Sequence, residues 1–351
     1  MEPIRTAIAG IGRAGWGMHC PAIDSRPEKF QIVAACDAED ERLQKIRERY
    51  DCRTYGEISD LVSDQNVELV SIATRSPDHV DHALKALDAG KDVFLEKPIA
   101  LKYEEARRLV QKTERVVGRL FFRHNRRFEP AFQHIREIME SGILGEVYEV
   151  KLRRHHYARR DDWQTLIDCG GGQLNNWGPH IIDHALRFLD APVTEIWSDL
   201  KLIAAVGDAE DHLKICLKGE NGRVVDLEIS GGAAISEPQY IIFGNKGALR
   251  SDGSEIELRY IDPTAELPPR EPSAESPPLE GGFGSPEELP WIEETVPVDP
   301  EKDVQMQDIW DALYDAIRNG KEFPIKHGEA LEVVRVTNEV KKGTSFAGNT
   351  D

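Results

Sequence analysis

A glycine-rich turn set directly behind an apolar strand constrains this 351-residue chain more than any other feature. Residues 4–9 form a short apolar run, and Gly10-Ile11-Gly12-Arg13-Ala14-Gly15 follows at once. In this spacing the first glycine turns the chain and the second lets backbone approach a pyrophosphate. The third lets a helix pack close to the strand, and that helix presents its free N–H groups to negative charge. A second apolar run, 31–36, leads into Asp37, which stands 22 positions after Gly15. That is near the ~20 at which a carboxylate reaches ribose hydroxyls. The pattern predicts a Rossmann domain holding a nicotinamide dinucleotide on Gly10, Gly12, Arg13, Ala14, Gly15 and Asp37. Asp37 would repel a 2′-phosphate, which favours NAD over NADP, although Arg42 nearby keeps NADP open.

Alternation continues beyond the turn. Runs at 69–73 and 93–95 read as buried parallel strands, with helical patterns at 40–50, 58–61 and 78–89 between them. A helix over 103–117 and a strand over 120–122 complete a doubly wound parallel sheet within residues 1–122. From residue 123 the character changes to an α+β domain running to 351. It has a helix over 131–141 and strands at 146–154, 196–203, 213–217, 224–229, 240–243 and 257–260. Turn signals at Glu220-Asn221-Gly222 and Gly244-Asn245-Lys246-Gly247 imply antiparallel hairpins in one large sheet. Residues 263–300, rich in Pro, Glu, Ser and Gly, read as a long loop, lid or arm anchored at most by Trp291. Two amphipathic helices, 304–319 and 329–341, close the chain.

Composition narrows the partners. Acidic residues number 63 against 44 basic, a net charge of −19, and such a field repels nucleic acid and anionic membrane. No window approaches the ~18 apolar residues that cross a bilayer, and the start shows no leader pattern. Five scattered cysteines without a CxxC pair argue against a disulfide scaffold or zinc site and for a reducing, cytoplasmic setting.

Two further motifs carry chemistry. Val93-Phe94-Leu95-Glu96-Lys97-Pro98 puts a lysine at the carboxyl end of a parallel strand, where open α/β sheets bind ligands, ahead of a proline bond that cis geometry would suit. There the amine can meet a substrate hydroxyl, and its pKa falls readily in a closed cleft. Downstream lies Gly170-Gly171-Gly172-Gln173-Leu174-Asn175-Asn176-Trp177-Gly178-Pro179-His180. The three motifs in this order resemble the Gfo/Idh/MocA oxidoreductases, which act on sugars, inositols and related polyols. The likeness spans nearly the whole chain outside 263–300, including Thr74 and His79 in the third βα turn and Arg127-Phe128 with Pro130 at the domain junction.

The resemblance implies that Glu96 and Lys97 lie by the nicotinamide, with Thr74 and His79 also on the cofactor. Lys97 would bind the reacting hydroxyl and His180 would exchange its proton, a task imidazole suits at neutral pH. His184 follows His180 by one helical turn, but no metal is expected. Where the family pattern has aspartate, this chain has Asn176, a hydroxyl ligand that cannot take a proton. Other expected substrate contacts are Asn125, Arg127, Tyr157 and Trp163, with Trp177 as a further stacking surface. The expected activity is hydride transfer between NAD and a secondary hydroxyl of a sugar, glycoside or polyol. Two alternatives stand beside it: a redox-neutral glycoside-cleaving enzyme that retains NAD, and a non-catalytic sugar or NAD sensor. The large second-domain sheet implies a homodimer or homotetramer.

Overall fold

The computed structural model describes residues 2–274, 287–298 and 306–347. Its first sheet has six parallel strands: β1 (Ile4–Ala9), β2 (Phe30–Cys36), β3 (Arg53–Tyr55), β4 (Leu69–Ile72), β5 (Asp92–Leu95) and β6 (Leu120–Phe122). Their order is β3-β2-β1-β4-β5-β6, so the direction of winding reverses between β1 and β4. Connecting helices are α1 (Cys20–Asp24), α2 (Asp40–Tyr50), α3 (Ile58–Ser63), α4 (His79–Asp88) and α5 (Tyr103–Lys112). Strands β1, β4 and β5 are apolar almost throughout because helices cover both faces. Reversal of strand order opens a crevice at the carboxyl ends of β1 and β4, where ligands of such sheets sit.

The second unit begins with α6 (Pro130–Glu140) and β7 (Val147–His155), then α7 (Gln173–Asn176) and α8 (Gly178–Leu189). Strands β8 (Val193–Lys201), β9 (His212–Gly219), β10 (Val224–Ser230), β11 (Tyr240–Gly244), β12 (Gly247–Ser251), β13 (Glu255–Ile261) and β14 (Trp291–Pro297) complete an eight-stranded sheet. All neighbours are antiparallel except β7 and β10. The hairpins expected at 220–222 and 244–247 join β9 to β10 and β11 to β12. One face buries Val150, Leu152, Ile215, Leu227 and Ile242 against α8, which is buried along nearly its whole length. The other face meets water through cross-strand ion pairs such as Lys214 with Asp226 and Glu228, and Arg259 with Glu293.

Two sequence expectations change here. Part of the 263–300 segment is β14, which pairs with β13 from Glu255↔Pro297 to Ile261↔Trp291, so Trp291 opens an edge strand. Five of its seven residues are charged or β-branched, a pattern an edge strand tolerates but which gives no alternating apolar signal. Residues 275–286 of that segment lie outside the described residues. The boundary at 122/123 also misses a return of the chain. Helix α9 (Ile309–Arg318) and the residues after it put Ile309, Trp310, Leu313, Phe323 and Ile325 into the first core. Trp310 meets Phe94 at 4.9 Å, Phe30 at 5.3 Å and His19 at 5.6 Å between ring centroids, all edge-on. Helix α10 (His327–Lys341) gives Ala330 and Val334 to the first core and Val333, Val336 and Val340 to the second. Among the described residues, no helix is long and apolar enough to cross a membrane.

Candidate active site

The glycine turn sits between the carboxyl ends of β1 and β4. Gly10 has φ +89°, and a Cβ there would stand 2.6 Å from the Ala73 carbonyl and the Thr74 nitrogen. A Cβ on Gly15 would strike the Gly10 carbonyl oxygen, so the following helical turn, Gly15–His19, can press against the strand only without one. Around Gly12 the reverse holds: a Cβ would meet nothing within 4 Å, which leaves the space a pyrophosphate needs. Asp37 accepts the Ile11 N–H at 2.6 Å and the Glu39 N–H at 3.0 Å, and Arg42 approaches it at 3.3 Å. The carboxylate thereby ties the turn to β2 and keeps lone pairs for a ribose. These residues fit a dinucleotide. Gly15→Ala is expected to weaken NADH binding at least about tenfold, the equivalent of 1.4 kcal/mol, in a fluorescence titration.

At the end of β5 the Lys97–Pro98 peptide is cis. The Lys97 amine donates to the Asn176 carbonyl at 2.9 Å and lies 3.4 Å from the Asn176 side-chain oxygen, joining the two domains across the cleft. Burial pulls its pKa down to about 8; Glu96 opposes this, while Arg123, Arg126 and Arg13 add to it.

Glu96, expected by the nicotinamide, is engaged by protein groups. It is buried, accepts from Arg123 at 2.6 Å and from the Lys97 N–H at 3.1 Å, and meets His19 at 2.9 Å. Burial would raise its pKa, but Arg123 and His19 outweigh that and hold it well below the carboxylate range. Unsolvated charge demands such partners, so Glu96 acts as an anchor beneath Lys97. His79 and Thr74, expected on the cofactor, likewise have protein partners. His79 is buried, with Nδ1 2.7 Å from the Pro98 carbonyl and Nε2 3.1 Å from the Thr74 carbonyl, so it clamps the Lys97 loop to the third βα turn. The Thr74 hydroxyl lies 3.1 Å from His82.

From the other domain α8 brings His180, 8% exposed, one turn past Asn176. Burial, then Lys97, Arg126 and His124, hold its pKa well below the usual imidazole value, so it is neutral. Its Nδ1 has no hydrogen-bond partner among the described residues. His184 is set apart by packing: it stacks on Phe132 at 4.0 Å and meets the Arg126 carbonyl at 2.8 Å. Among the described residues no group of three or more His, Cys, Asp or Glu could hold a metal.

Arg127, expected on substrate, is instead buried in a fork with Asp183 at 2.6 and 2.7 Å, and also bonds Glu329. A guanidinium matched so closely to a carboxylate has few donors left for a sugar. Tyr157 is 61% exposed and bridges to Gly232, away from the lysine–histidine pair in its contacts. Trp163 lies under the Arg75 guanidinium at 5.8 Å, which places it against the third βα turn. Asn125 is buried in the short turn Asn125–Phe128. That turn also carries residues the sequence reading passed over. His124 just before it is buried with neither ring nitrogen partnered among the described residues, and Arg126 lies 4.3 Å from the Trp177 ring, with Arg154 of β7 at 5.0 Å. Trp177 is thus occupied by cations, and its ring stands 6.1 Å from that of His180. A run of basic residues after β6, Arg123-His124-Asn125-Arg126-Arg127, was the available signal.

Comparison with known proteins bears on this arrangement. A family model described as the oxidoreductase family with NAD-binding Rossmann fold matches residues 4–124, and one described as the GFO/IDH/MocA C-terminal domain matches 132–250. An uncharacterized oxidoreductase of Schizosaccharomyces pombe is 29% identical, covering 99% of both chains. Myo-inositol 2-dehydrogenase of Thermotoga maritima is 25% identical over 71% of this chain and 75% of its own. The solved structure of the oxidoreductase yvaA from Bacillus subtilis superposes with a TM-score of 0.80 at 19% identity, covering 97% of this chain and 95% of that one.

Proposed function

The chain belongs to the Gfo/Idh/MocA family of oxidoreductases, with an NAD(P)-binding Rossmann domain, and from that premise we propose that it transfers a hydride between NAD and a secondary hydroxyl of a sugar, glycoside or polyol. The observation that carries the reading is the meeting of Lys97 with Asn176 across the cleft, one helical turn from a neutral His180. The bound nicotinamide supplies the hydride acceptor. In the direction of oxidation, Lys97 orients the hydroxyl and the Asn176 side chain holds a neighbouring one. His180 takes the hydroxyl proton as the C–H bond breaks, and in reduction returns it. The similar inositol dehydrogenase supports a polyhydroxy substrate. Asp37, at the end of β2, supports NAD over NADP through repulsion of a 2′-phosphate.

The test is a panel of sugars, glycosides and polyols with NAD or NADP, following reduced cofactor at 340 nm. Oxidation of at least one secondary alcohol with NAD, at higher kcat/KM than with NADP, is expected. A panel without turnover, with no nucleotide released on denaturation, would count against the reading. Asn176 favours one alternative, a redox-neutral glycoside-cleaving enzyme, because an amide leaves the acid–base set without its carboxylate. That version predicts tightly held NAD and little net NADH. The proposal includes a homodimer or homotetramer through the second sheet, whose open face carries Trp197 and Trp291 among its ion pairs.

A further inference from the structure

The cleft around Lys97 holds more positive charge than its own carboxylates balance. Glu96 is spent on Arg123 and His19, and Asp183 on Arg127. That leaves Arg126 and Arg154, which share one carboxylate: Arg126 meets Glu129 at 2.9 Å and Arg154 meets its other oxygen at 3.0 Å. Both guanidiniums also lie on Trp177, the residue after Asn176. The side chains of both arginines are 19% exposed, so they are neither buried structural charges nor free surface groups. Asn176 meets Lys97 with an amide and adds no negative charge. Two guanidiniums and one ammonium thus stand against one carboxylate at the reacting end of the cleft, in a chain of net charge −19. The excess is local, where it can act on a ligand.

The glycine turn does not account for this excess. Arg13 belongs to that turn, whereas Arg126 follows β6 and Arg154 lies on β7, and both meet Trp177, whose ring stands 6.1 Å from that of His180. Guanidiniums held on an indole face are pre-oriented, and each keeps N–H donors beyond the ones given to Glu129. Donor forks of this kind recognise planar or tetrahedral oxyanions.

We propose that the substrate is an acidic sugar, its anionic group held by Arg126 and Arg154 over Trp177 while its ring hydroxyl meets Lys97. This rests on the sugar-oxidising reading of the same site and adds the substrate's charge. A ring carboxylate and a phosphate ester share the chemistry, and the test separates them.

The test measures binding of glucose, glucuronate and glucose 6-phosphate to the full-length protein saturated with NADH, by calorimetry at low and at 0.5 M salt, alongside turnover with NAD. At least one charged sugar is expected to bind about 30-fold more tightly than glucose at low salt, as charge-assisted hydrogen bonds permit. High salt should cut that preference several-fold. Arg126→Gln and Arg154→Gln should each shrink the preference about tenfold. Preference for glucuronate assigns the carboxylate, and preference for the ester assigns the phosphate. Equal affinity for neutral and charged sugars, no binding of either charged sugar, or a preference untouched by both substitutions would overturn the proposal. Because binding at two salt concentrations is read on the unmodified protein, the outcome stands even if a variant does not fold. Glucose oxidised without any charged-sugar preference sinks this inference and leaves the dehydrogenase reading. Tight binding of a charged sugar without hydride transfer does the reverse.

Discussion

Lys97→Met is expected to lower kcat for alcohol oxidation on the order of a thousandfold while NADH binding changes less than threefold. The side chain is of similar length, so the cleft keeps its shape and loses only the donor and its charge. Lys97 sits on the substrate side of the glycine turn, joined to Asn176 and not to the dinucleotide residues. A pH profile adds a second readout. With its pKa drawn down to about 8 by burial, Lys97 sheds its proton near that pH and loses the charged donor, so kcat/KM for oxidation should fall as pH passes about 8. The variant should lose that limb. His180→Ala should cause a comparable fall in kcat. Full activity in either variant, measured by stopped-flow and steady-state NADH formation, would remove the residue from the chemistry.

The second large effect concerns stability. Asp183→Ala is expected to cost about 3 kcal/mol, because it removes the two-pronged partner of a buried guanidinium and leaves Arg127 only Glu329 and the Pro324 carbonyl. For a protein of this size that lowers the thermal midpoint by roughly 4 °C in calorimetry. The pH dependence has a definite sign. Although burial would raise the Asp183 pKa, Arg127 outweighs it and draws it to about 2, below the ~3.9 of an unfolded aspartate. The pair's contribution is therefore full above about pH 4 and fades as pH falls toward 2. Urea midpoints between pH 7 and 3 should drop less steeply in Asp183→Ala than in the parent. An alanine variant as stable as the parent would show that the fork contributes nothing. The result also bears on function, since an arginine needed to hold substrate would lower kcat/KM without moving the midpoint.

The Rossmann half of this fold is legible in sequence because each buried strand is a mainly apolar run and each helix brings its own period. Edge strands β3 and β14 are not legible that way. They are half solvated and carry charge, so their identity comes from the strand they pair with. The glycine turn is readable because local sterics dictate it: Gly10 and Gly15 have no room for a side chain. Lys97 and His180 are readable through motif spacing. Glu96, His79 and Arg127 stand in recognisable motifs, yet which way each side chain turns depends on partners up to 202 positions distant, as for Arg127 with Glu329. Arg126 and Arg154 sit in ordinary basic stretches, and only the folded chain brings both onto Trp177.

The return of α9 to the first core has a consequence for how the protein is made. A ribosome adds roughly 5–20 residues per second, and domains near the amino terminus usually fold as they emerge. Here the first core lacks Trp310, Leu313 and Phe323 until those residues have been added. From residue 122 to residue 309 that wait is roughly ten to forty seconds at those speeds. During it the flank of Phe30 and Phe94 that Trp310 later covers stays open to solvent. Nascent chains halted before residue 309 should therefore be protease-sensitive in the nucleotide-binding half, and dinucleotide binding should emerge only once residues 309–325 have joined the first core.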